Sequence, residues 1–208
     1  MRQLLRPIAA RRPVALLALA LTVLLVVAAA AFAANIQGDG TLVGTTGNDN
    51  INAGNGNDTI WGLGGQDSIN AGNGNDTIYG GGGHNSINVG SGNDTIYGGP
   101  VGDAINVGGR NTGTDFIYLG AGGGNSVNTG QGTTTVFAQN GHVDTIACHG
   151  TTTVYADHTD HTSNCTHVIF TSPSSDHAKI TSPSSDHAKK KATKRHAKKA
   201  GRKHARRS

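Results

Sequence analysis

A nine-residue period dominates the middle of this sequence and constrains its fold more than any other feature. Residues 53–88 read AGNGNDTIW, GLGGQDSIN, AGNGNDTIY and GGGGHNSIN, so a glycine-rich loop ending in Asp or Asn precedes each polar–Ile–polar triplet. The same register places one Ile every nine residues from Ile51 to Ile105. No helix has this period, whereas a parallel β-roll does, because each unit supplies one turn and one short strand and two units complete a coil. The sequence therefore predicts an all-β protein, a parallel β-roll or β-solenoid.

After Ile105 the period loosens, yet the aliphatic residue of each unit can still be followed. Aligning the units on that residue gives twelve half-turns, or about six coils, between residues 44 and 155. An insertion containing Arg110 lengthens one step to twelve residues. Because side chains alternate along a strand, we expect the middle residue of each triplet to face inward and its neighbours outward. The later inward positions are Ile117, Val127, Val136, Ile146 and Val154.

The outward positions fall into two columns, because two kinds of unit alternate. We expect each column to form a ladder of like side chains, since neighbouring strands lie about 4.8 Å apart. One ladder is predicted to present aromatic rings to solvent, either to stabilise the sheet or as a ligand-binding face for sugar rings or a partner. The polar ladder consists of Asn52, Asn70, Asn88, Asn106 and Asn128. The aromatic ladder consists of Trp61, Tyr79, Tyr97, Tyr118, Phe137 and Tyr155.

Formal charge divides the chain into two unlike parts. All thirteen acidic residues are Asp, and eleven of them share residues 34–170 with a single basic residue, Arg110, which gives −10. Residues 171–208 carry twelve Lys or Arg against two Asp, which gives +10. This tail is rich in Ser, Pro, His and Lys and is predicted to be disordered, because it has too few apolar residues to offset the entropy of ordering.

Residues 1–33 have the pattern of an export signal. Four Arg residues precede an apolar run from Val14 to Phe32, and Ala31-Phe32-Ala33 fits a cleavage site. The length of the apolar run leaves an uncleaved membrane anchor as the alternative. Both interpretations place the repeats outside the cell.

Two cysteines, Cys148 and Cys165, are predicted to form one disulfide, because an exported chain passes into an oxidising compartment. We expect this bond to pin a C-terminal cap, 156–170, over the open end of the core, while residues 34–43 cap the other end. The alternative is a metal site built from the cysteines and nearby histidines, and the irregular spacing argues against it. Those histidines are His149, His158, His161 and His167.

Three of the units resemble a known calcium-binding repeat. AGNGNDTIW at 53–61, AGNGNDTIY at 71–79 and VGSGNDTIY at 89–97 are similar to G-G-x-G-x-D-x-U-x, the nonapeptide of RTX (hemolysin-type) repeat proteins. The resemblance extends over roughly 44–155 and implies that Ca²⁺ binds between loops stacked two repeats apart. The composition suits this role, since Ca²⁺ takes six or more oxygen ligands and glycines allow a tight loop to turn its carbonyl groups inward.

The resemblance ranks the candidate ligands on the edge that leads into the aromatic ladder, called here the aromatic edge. Asp76 can pair with both Asp58 and Asp94, which gives two full sites. The insertion around Arg110 separates Asp94 from Asp115 and weakens that pair. We therefore expect Asp76 to be the most important single carboxylate.

On the opposite edge, called here the asparagine edge, Asp49 and Asp67 form the one full pair. Asn85 and Asn125 stand where later units would have a carboxylate, and their neutral oxygens weaken the neighbouring sites. The weakened sites on this edge involve Asp103 and Asp144.

Thr134 and Thr152 replace the carboxylate outright on the aromatic edge, so we expect no ion beside them. A calcium-free solenoid in which Asp only caps turns is the alternative, and the uncompensated charge argues against it. We expect three or four good Ca²⁺ sites. The predicted metal-binding residues are Asp49, Asp58, Asp67, Asp76, Asp94, Asp103 and Asp115.

The leading functional hypothesis is a secreted calcium-binding β-roll that serves as a structural or adhesive module at the cell surface. One alternative is a protein that recognises carbohydrate or ice through its aromatic and Thr ladder. Another is binding of an anionic cell-surface polymer through the basic tail, and export argues against nucleic acid as that polymer. A membrane is a partner only if the N-terminal segment stays uncleaved. We expect no enzyme, because Ser, His and Asp show no spacing typical of a nucleophile and its base.

Overall fold

The computed structural model describes residues 32–108 and 113–171, and these residues form a parallel β-solenoid, as the nine-residue period predicts. The described part consists of strands and turns, so it contains no helix long and apolar enough to cross a membrane. Three predicted features lie outside the described residues: the export signal apart from Phe32 and Ala33, the insertion around Arg110, and the basic tail beyond Thr171.

Within the described residues, sixteen strands alternate between two eight-stranded sheets, and every pairing between neighbours is parallel. The asparagine sheet contains β1 (Asn35–Gln37), β3 (Asn50–Asn52), β5 (Ser68–Asn70), β7 (Ser86–Val89), β9 (Ala104–Val107), β11 (Ser126–Asn128), β13 (Thr145–Ala147) and β15 (His161–Ser163). The aromatic sheet contains β2 (Thr41–Val43), β4 (Thr59–Trp61), β6 (Thr77–Tyr79), β8 (Thr95–Tyr97), β10 (Thr114–Tyr118), β12 (Thr133–Phe137), β14 (Thr151–Ala156) and β16 (His167–Phe170).

The predicted register is confirmed along the whole core. Each inward aliphatic residue lies directly opposite the equivalent residue of the next layer, as Ile60 does with Ile78 and Val136 with Val154. The insertion does not disturb this order, because Ile117 still pairs with Ile96. The twelve predicted inward residues from Ile51 to Val154 are all buried, and they form one continuous apolar column between the sheets.

The described part of the solenoid has eight layers, each with one strand from each sheet. The six coils predicted for 44–155 are present as β3–β14. The two segments predicted as caps, 34–43 and 156–170, each add one strand to each sheet. In the last layer Thr162 and Val168 occupy the core positions next to Ile146 and Val154. A smaller, partly polar pair thus closes the column at this end.

The Cys148–Cys165 disulfide is present and joins the last two layers on the aromatic edge. Cys148 follows β13 directly and is buried, while Cys165 lies between β15 and β16. Bonds of this kind stabilise chiefly by restricting the unfolded chain. The bond therefore holds the terminal layer, which has a neighbour on one side only, against the rest of the column.

Candidate metal centre

All seven predicted metal-binding carboxylates are buried. Their exposed fractions do not exceed 3%, although each carries a formal charge in its ionised state. The described residues contain neither Lys nor Arg, so no fixed side-chain cation stands beside them. Burial of a charge without a partner is costly, so each of these carboxylates needs compensating contacts in its surroundings.

One oxygen of each carboxylate joins successive layers. The N–H of Asp58 donates to Asp76 Oδ1 (2.8 Å), and the N–H of Asp76 donates to Asp94 Oδ1 (2.9 Å). On the asparagine edge the N–H of Asp49 donates to Asp67 Oδ1 (2.8 Å). The carboxylates therefore form two ladders, one on each edge, and each occupies the position that the nine-residue register predicts.

The second oxygen has no such partner in five of these residues. It is buried and makes no hydrogen bond in Asp58, Asp67, Asp76, Asp94 and Asp103. A buried oxygen that lacks a donor costs roughly 1–3 kcal/mol even when it is neutral, and more when it is charged. Five such atoms in register point to a ligand that supplies positive charge.

The pKa values of these carboxyl groups respond to the same surroundings. Burial, together with the Asp115 and Asp76 carboxylates, raises the pKa of Asp94 to about 7. Burial, together with the Asp49 and Asp103 carboxylates, raises the pKa of Asp67 to about 6. Burial likewise raises the pKa of Asp103 to about 6. Without a cation, the folded protein therefore favours protonation of these groups near neutral pH.

On the asparagine edge, backbone carbonyl oxygens lie next to the unpartnered oxygens of Asp67 and Asp103. A Cβ added to Gly62 would lie 2.2 Å from the carbonyl oxygen of Gly80 and 2.6 Å from Asp67 Oδ2. A Cβ added to Gly98 would lie 2.8 Å from Asp103 Oδ2 and 3.0 Å from the carbonyl oxygen of Leu119. A carboxylate oxygen and a carbonyl oxygen of the next layer thus flank the same small space, which only glycine leaves open.

This set of donors fits Ca²⁺, because Ca²⁺ prefers carboxylate and backbone carbonyl oxygens. Within residues 32–108 and 113–171, no three Asp, His or Cys side chains converge as a metal cage would require. Any bound ion would therefore depend on the loop carbonyl groups as well as on carboxylates. The residues that would hold it are the five Asp with an unpartnered oxygen together with the glycine loops before them; a bound ion would supply the missing positive charge.

The two Asn positions show how a layer manages without a carboxylate. Asn85 Oδ1 accepts the N–H of Asp67 (2.9 Å), so the ladder continues. Its amide nitrogen then donates to the carbonyl oxygen of Gly83 (3.2 Å). Asn125 does the same, since its amide nitrogen donates to Gly122 (2.8 Å). The N–H₂ group thus satisfies a loop carbonyl inside its own layer, and these layers have less need of an ion.

The weakened pair across the insertion is closer to regular than the sequence suggests. The N–H of Asp94 donates to Asp115 Oδ1 at 3.1 Å, in line with the other steps of the ladder. Asp115 lies within β10, whereas Asp94 ends a loop. The structure therefore brings these two carboxylates together.

Thr134 and Thr152, which replace the carboxylate, lie inside the extended strands β12 and β14 and are fully buried. Thr152 Oγ1 donates to the carbonyl oxygen of His149 (2.8 Å) and contacts Thr129 Oγ1 (3.0 Å). The loops before these strands shrink to residues 129–132 and 148–150. Residues that form a loop of five or six residues in the earlier units belong to the strands here.

The asparagine edge continues beyond Asp144, the last residue that the sequence predicted for it. The N–H of Asn125 donates to Asp144 Oδ1 (2.8 Å), and the N–H of Asp144 donates to Asp160 Oδ1 (2.9 Å). Asp160 and its neighbour Asp157 are both buried. The period did not reveal them because Asp160 follows Asp144 by 16 residues and not by 18. A repeated Asp just before an outward–inward–outward triplet, here H-T-S, was the available signal.

The aromatic ladder forms on the aromatic sheet in the predicted order. Consecutive rings are stacked, with centroids 4.2–5.2 Å apart and planes within 23° of parallel. The rings after Trp61 are half-buried, because each face is covered by the next ring. The prediction that the ring of Trp61 faces solvent is wrong, because only 4% of this residue is exposed. Its place in the stack lies between Val43 and Tyr79, and its Nε1 makes no hydrogen bond.

Two stacked edges of buried carboxylates and glycine loops, on a parallel β-solenoid, define a calcium-binding type of β-roll. A family model described as the RTX calcium-binding nonapeptide repeat, in four copies, matches residues 37–69 and again residues 70–103. Residues 37–103 therefore consist of RTX-type calcium-binding nonapeptide repeats. No curated protein and no solved structure was found to match the chain.

Proposed function

We propose that this protein is exported, folds when it meets extracellular Ca²⁺, and then serves as a structural or adhesive module at the cell surface. The single observation that carries the calcium-driven folding is the ladder of buried carboxylate oxygens without a partner. No Lys or Arg among the described residues can replace the ion. The roll must therefore fold with a cation, fold with protonated carboxyl groups, or stay unfolded.

The size of the calcium effect can be estimated. Extracellular calcium modules bind with dissociation constants of about 10⁻⁴–10⁻³ M, so about 1 mM Ca²⁺ adds roughly 0.4–1.4 kcal/mol per site. Three or four sites then contribute about 1–6 kcal/mol, which is comparable with the whole stability of a small domain. Folding would be unfavourable where calcium is scarce and favourable outside the cell.

Export is supported by two independent observations. The sequence of residues 1–33 has the pattern of an export signal. The Cys148–Cys165 disulfide is of the kind that persists in oxidising compartments. A calcium-rich, oxidising environment favours both the disulfide and the binding of Ca²⁺ to the loops, so both features suit the outside of the cell.

The surface of the roll supports a structural or adhesive role without catalysis. Ten of the eleven Asp residues in 34–170 are buried, and Asp39 is the exposed one. The exterior of the described roll consists mainly of amide, hydroxyl and aromatic side chains, with several histidines and the exposed Val143 and Ile169. A long, nearly uncharged polar surface suits lateral association or contact with neutral polymers, and the carboxylates that an acid–base mechanism would use face inward.

Recognition of carbohydrate through the aromatic ladder receives less support from the geometry. Sugar rings stack on the faces of aromatic rings, and here those faces are covered by neighbouring rings. Phe116 breaks the column of Thr residues on the same sheet and is 40% exposed, which leaves it as one accessible ring. The stacking favours a stabilising role, since aromatic pairs contribute about 0.5–1.5 kcal/mol beyond their buried area.

The calcium-driven folding is tested by circular dichroism of the mature chain in excess chelator and in millimolar Ca²⁺. We expect the β signal to be much weaker with chelator near pH 8 than with Ca²⁺. An identical β signal under both conditions would defeat this part of the proposal.

The surface role needs a separate experiment, in which whole cells and purified wall polymer are tested for binding with and without Ca²⁺. A truncated chain that ends at Thr171 separates the roll from the basic tail. Binding that needs Ca²⁺ but not the tail would support the adhesive roll. Binding that is lost with the tail, or in moderate salt, would instead support the anionic-polymer alternative, because salt screens the attraction of an extended charged segment.

A further inference from the structure

The turn from Asp157 to Asp160 closes the asparagine edge at the C-terminal end of the roll. It lies outside residues 37–103, which match the nonapeptide family, and its sequence D-H-T-D does not follow the nonapeptide pattern. Nevertheless it is stacked on the loop 138–144 in the way that the nonapeptide loops are stacked on each other. The question is whether this terminal pair of loops also holds an ion.

Three contacts fix the turn against the loop below it. Asp157 Oδ2 accepts the N–H of Gly141 (2.6 Å), and Asp160 Oδ1 accepts the N–H of Asp144 (2.9 Å). Thr159 Oγ1 donates to the carbonyl oxygen of His142 (3.5 Å). Within the turn, Asp160 Oδ2 accepts the N–H of Asp157 (2.8 Å). Both oxygens of Asp160 are thus occupied by backbone donors.

Asp157 differs from Asp160 in one decisive respect. Its side chain is 96% buried (4% exposed), yet its Oδ1 makes no hydrogen bond. The opposite oxygen of the same carboxylate is held by Gly141, so Oδ1 is fixed at the junction of the turn and the loop. It has the same character as the unpartnered oxygens of the nonapeptide carboxylates.

The surroundings add negative charge and no strong cation. Asp144 is the full carboxylate of the loop below and is almost entirely buried. Burial raises the pKa of both Asp144 and Asp160, and the Asp144 and Asp157 carboxylates raise that of Asp160 further. His158 lies within the turn and His161 follows it, while His142 of the loop below lowers the pKa of Asp144.

We propose that the junction of the Asp157–Asp160 turn with the loop 138–144 is an additional calcium site, with Asp157 Oδ1 as its free carboxylate ligand. Backbone carbonyl oxygens of the two loops complete the set of ligands, because three side chains do not converge here. The choice of calcium as the ion rests on the function proposed above, whereas the site itself rests on Asp157.

Such a site has a defined structural role. The disulfide holds the last layer on the aromatic edge, through Cys148 and Cys165. The turn at Asp157 lies on the opposite edge of the same layer. An ion there would fix the second edge, so the terminal layer would be fastened on both sides.

The experiment uses the full exported chain and compares Asp157→Asn with Asp94→Asn. Both substitutions replace a buried carboxylate that has an unpartnered oxygen, one at the terminal turn and one in the matched repeats, so each is the control for the other. Bound calcium is counted by equilibrium dialysis. Hydrogen exchange is followed separately in peptides that cover 53–103 and 151–171, with calcium and with chelator.

We expect Asp157→Asn to bind one calcium ion fewer per chain and to lose calcium-induced protection in 151–171 alone. Asp94→Asn should lose protection in 53–103 alone. With chelator, Asp157→Asn should be protected at least as well as the unaltered chain, because a neutral amide replaces an unpartnered buried charge. Asp157→Ser, which keeps an acceptor without the charge, should behave like Asp157→Asn.

Two results would overturn the site. One is an unchanged number of bound ions in Asp157→Asn and Asp157→Ser while Asp94→Asn loses ions. The other is an equal loss of protection with calcium and with chelator, which would make Asp157 merely a structural acceptor for Gly141. Failure of the proposed function looks different, because the unaltered chain would then bind no calcium at all.

Discussion

The two halves of this roll differ in structure at the edge that leads into the aromatic sheet. In residues 44–103 each layer leads into the aromatic sheet through a glycine loop of five or six residues that ends in a buried Asp. In residues 113–171 the same edge has loops of three or four residues, and the strands β10, β12 and β14 lengthen to five or six residues. The N-terminal half therefore leaves carboxylate oxygens that need an ion, whereas the C-terminal half has converted most of that loop into backbone pairing.

The comparison shows that a solenoid can exchange glycine loops with buried carboxylates for longer paired strands without changing its core. The inward aliphatic column and the aromatic ladder run through both halves in register. What changes is the residue two positions before the inward aliphatic one, which is Asp94 and Asp115 in the earlier layers and Thr134 and Thr152 in the later ones. We therefore expect any dependence on calcium to reside in the edges, whereas the apolar column is common to both halves.

Chelation of calcium should separate the halves most strongly. We expect residues 44–103 to lose most of their hydrogen-exchange protection in excess chelator at pH 8, with a loss of about 1–6 kcal/mol from three or four sites. The peptides that cover β12 and β14 should retain more protection, because their edge is closed by backbone pairs and by a disulfide. Hydrogen exchange read by mass spectrometry measures both halves at once. Equal loss in the two halves would show that the roll unfolds as one unit.

Removal of the disulfide should produce the reverse pattern. In the double variant Cys148→Ser/Cys165→Ser, we expect the free energy of unfolding to fall by about 3 kcal/mol, the value for a closed loop of this size. The loss should be concentrated in 145–171 and should be present with saturating calcium. Exchange rates in 53–103 serve as the internal control, and a large change there would contradict the separation of the halves.

Asp76 should be the most sensitive carboxylate of the N-terminal half. Its Oδ1 joins it to Asp58, its N–H joins it to Asp94, and its Oδ2 is unpartnered, so Asp76→Ala weakens two layers. We expect a cost of roughly 1–3 kcal/mol in calcium, from two sites of 0.4–1.4 kcal/mol each. The measurement is the calcium midpoint of folding by circular dichroism. Thr134→Ala is the matched variant in the other half, and its calcium midpoint should stay in place.

Acid should partly replace calcium in the N-terminal half. The pKa values of Asp67, Asp94 and Asp103 are raised to about 6, 7 and 6 by folding, above the ordinary value of 3.8. The folded state then binds more protons than the unfolded state, so its stability in chelator rises as pH falls through 7 towards 4. Melting temperatures measured in chelator at pH 8 and pH 5 should differ in that direction. A melting temperature that falls on acidification would show that these groups are ionised in the calcium-free fold.

Thr134→Val should have the smallest effect and the opposite sign. Thr134 Oγ1 is buried without a hydrogen-bond partner, so the isosteric methyl group removes a cost and leaves the packing intact. We expect a gain of about 0.5–1 kcal/mol, equal with and without calcium. Urea unfolding under both conditions measures it. A loss of stability would show that this hydroxyl has a bound water or another partner that the layer depends on.

The amino-acid sequence alone determined the solenoid, its register and the residues of the aromatic and asparagine ladders. This was possible because a nine-residue repeat relates each layer to the next, so the position of Ile51 also settles the face on which Ile105 lies. The seven predicted carboxylates follow from the same arithmetic. The repeat is sufficient for this prediction because every unit of a solenoid contacts only its neighbours.

Only the tertiary structure decided what happens where the spacing is irregular. The carboxylate pair Asp94–Asp115 forms across an insertion, and Asp160 joins the ladder after a step of 16 residues, because hydrogen bonds between layers set the register there. The burial of Trp61 and the covering of each ring face by the next likewise depend on packing between layers. A repeat states which residues are equivalent, but the distance between two oxygens, and the absence of a donor beside one of them, exist only once the layers are stacked.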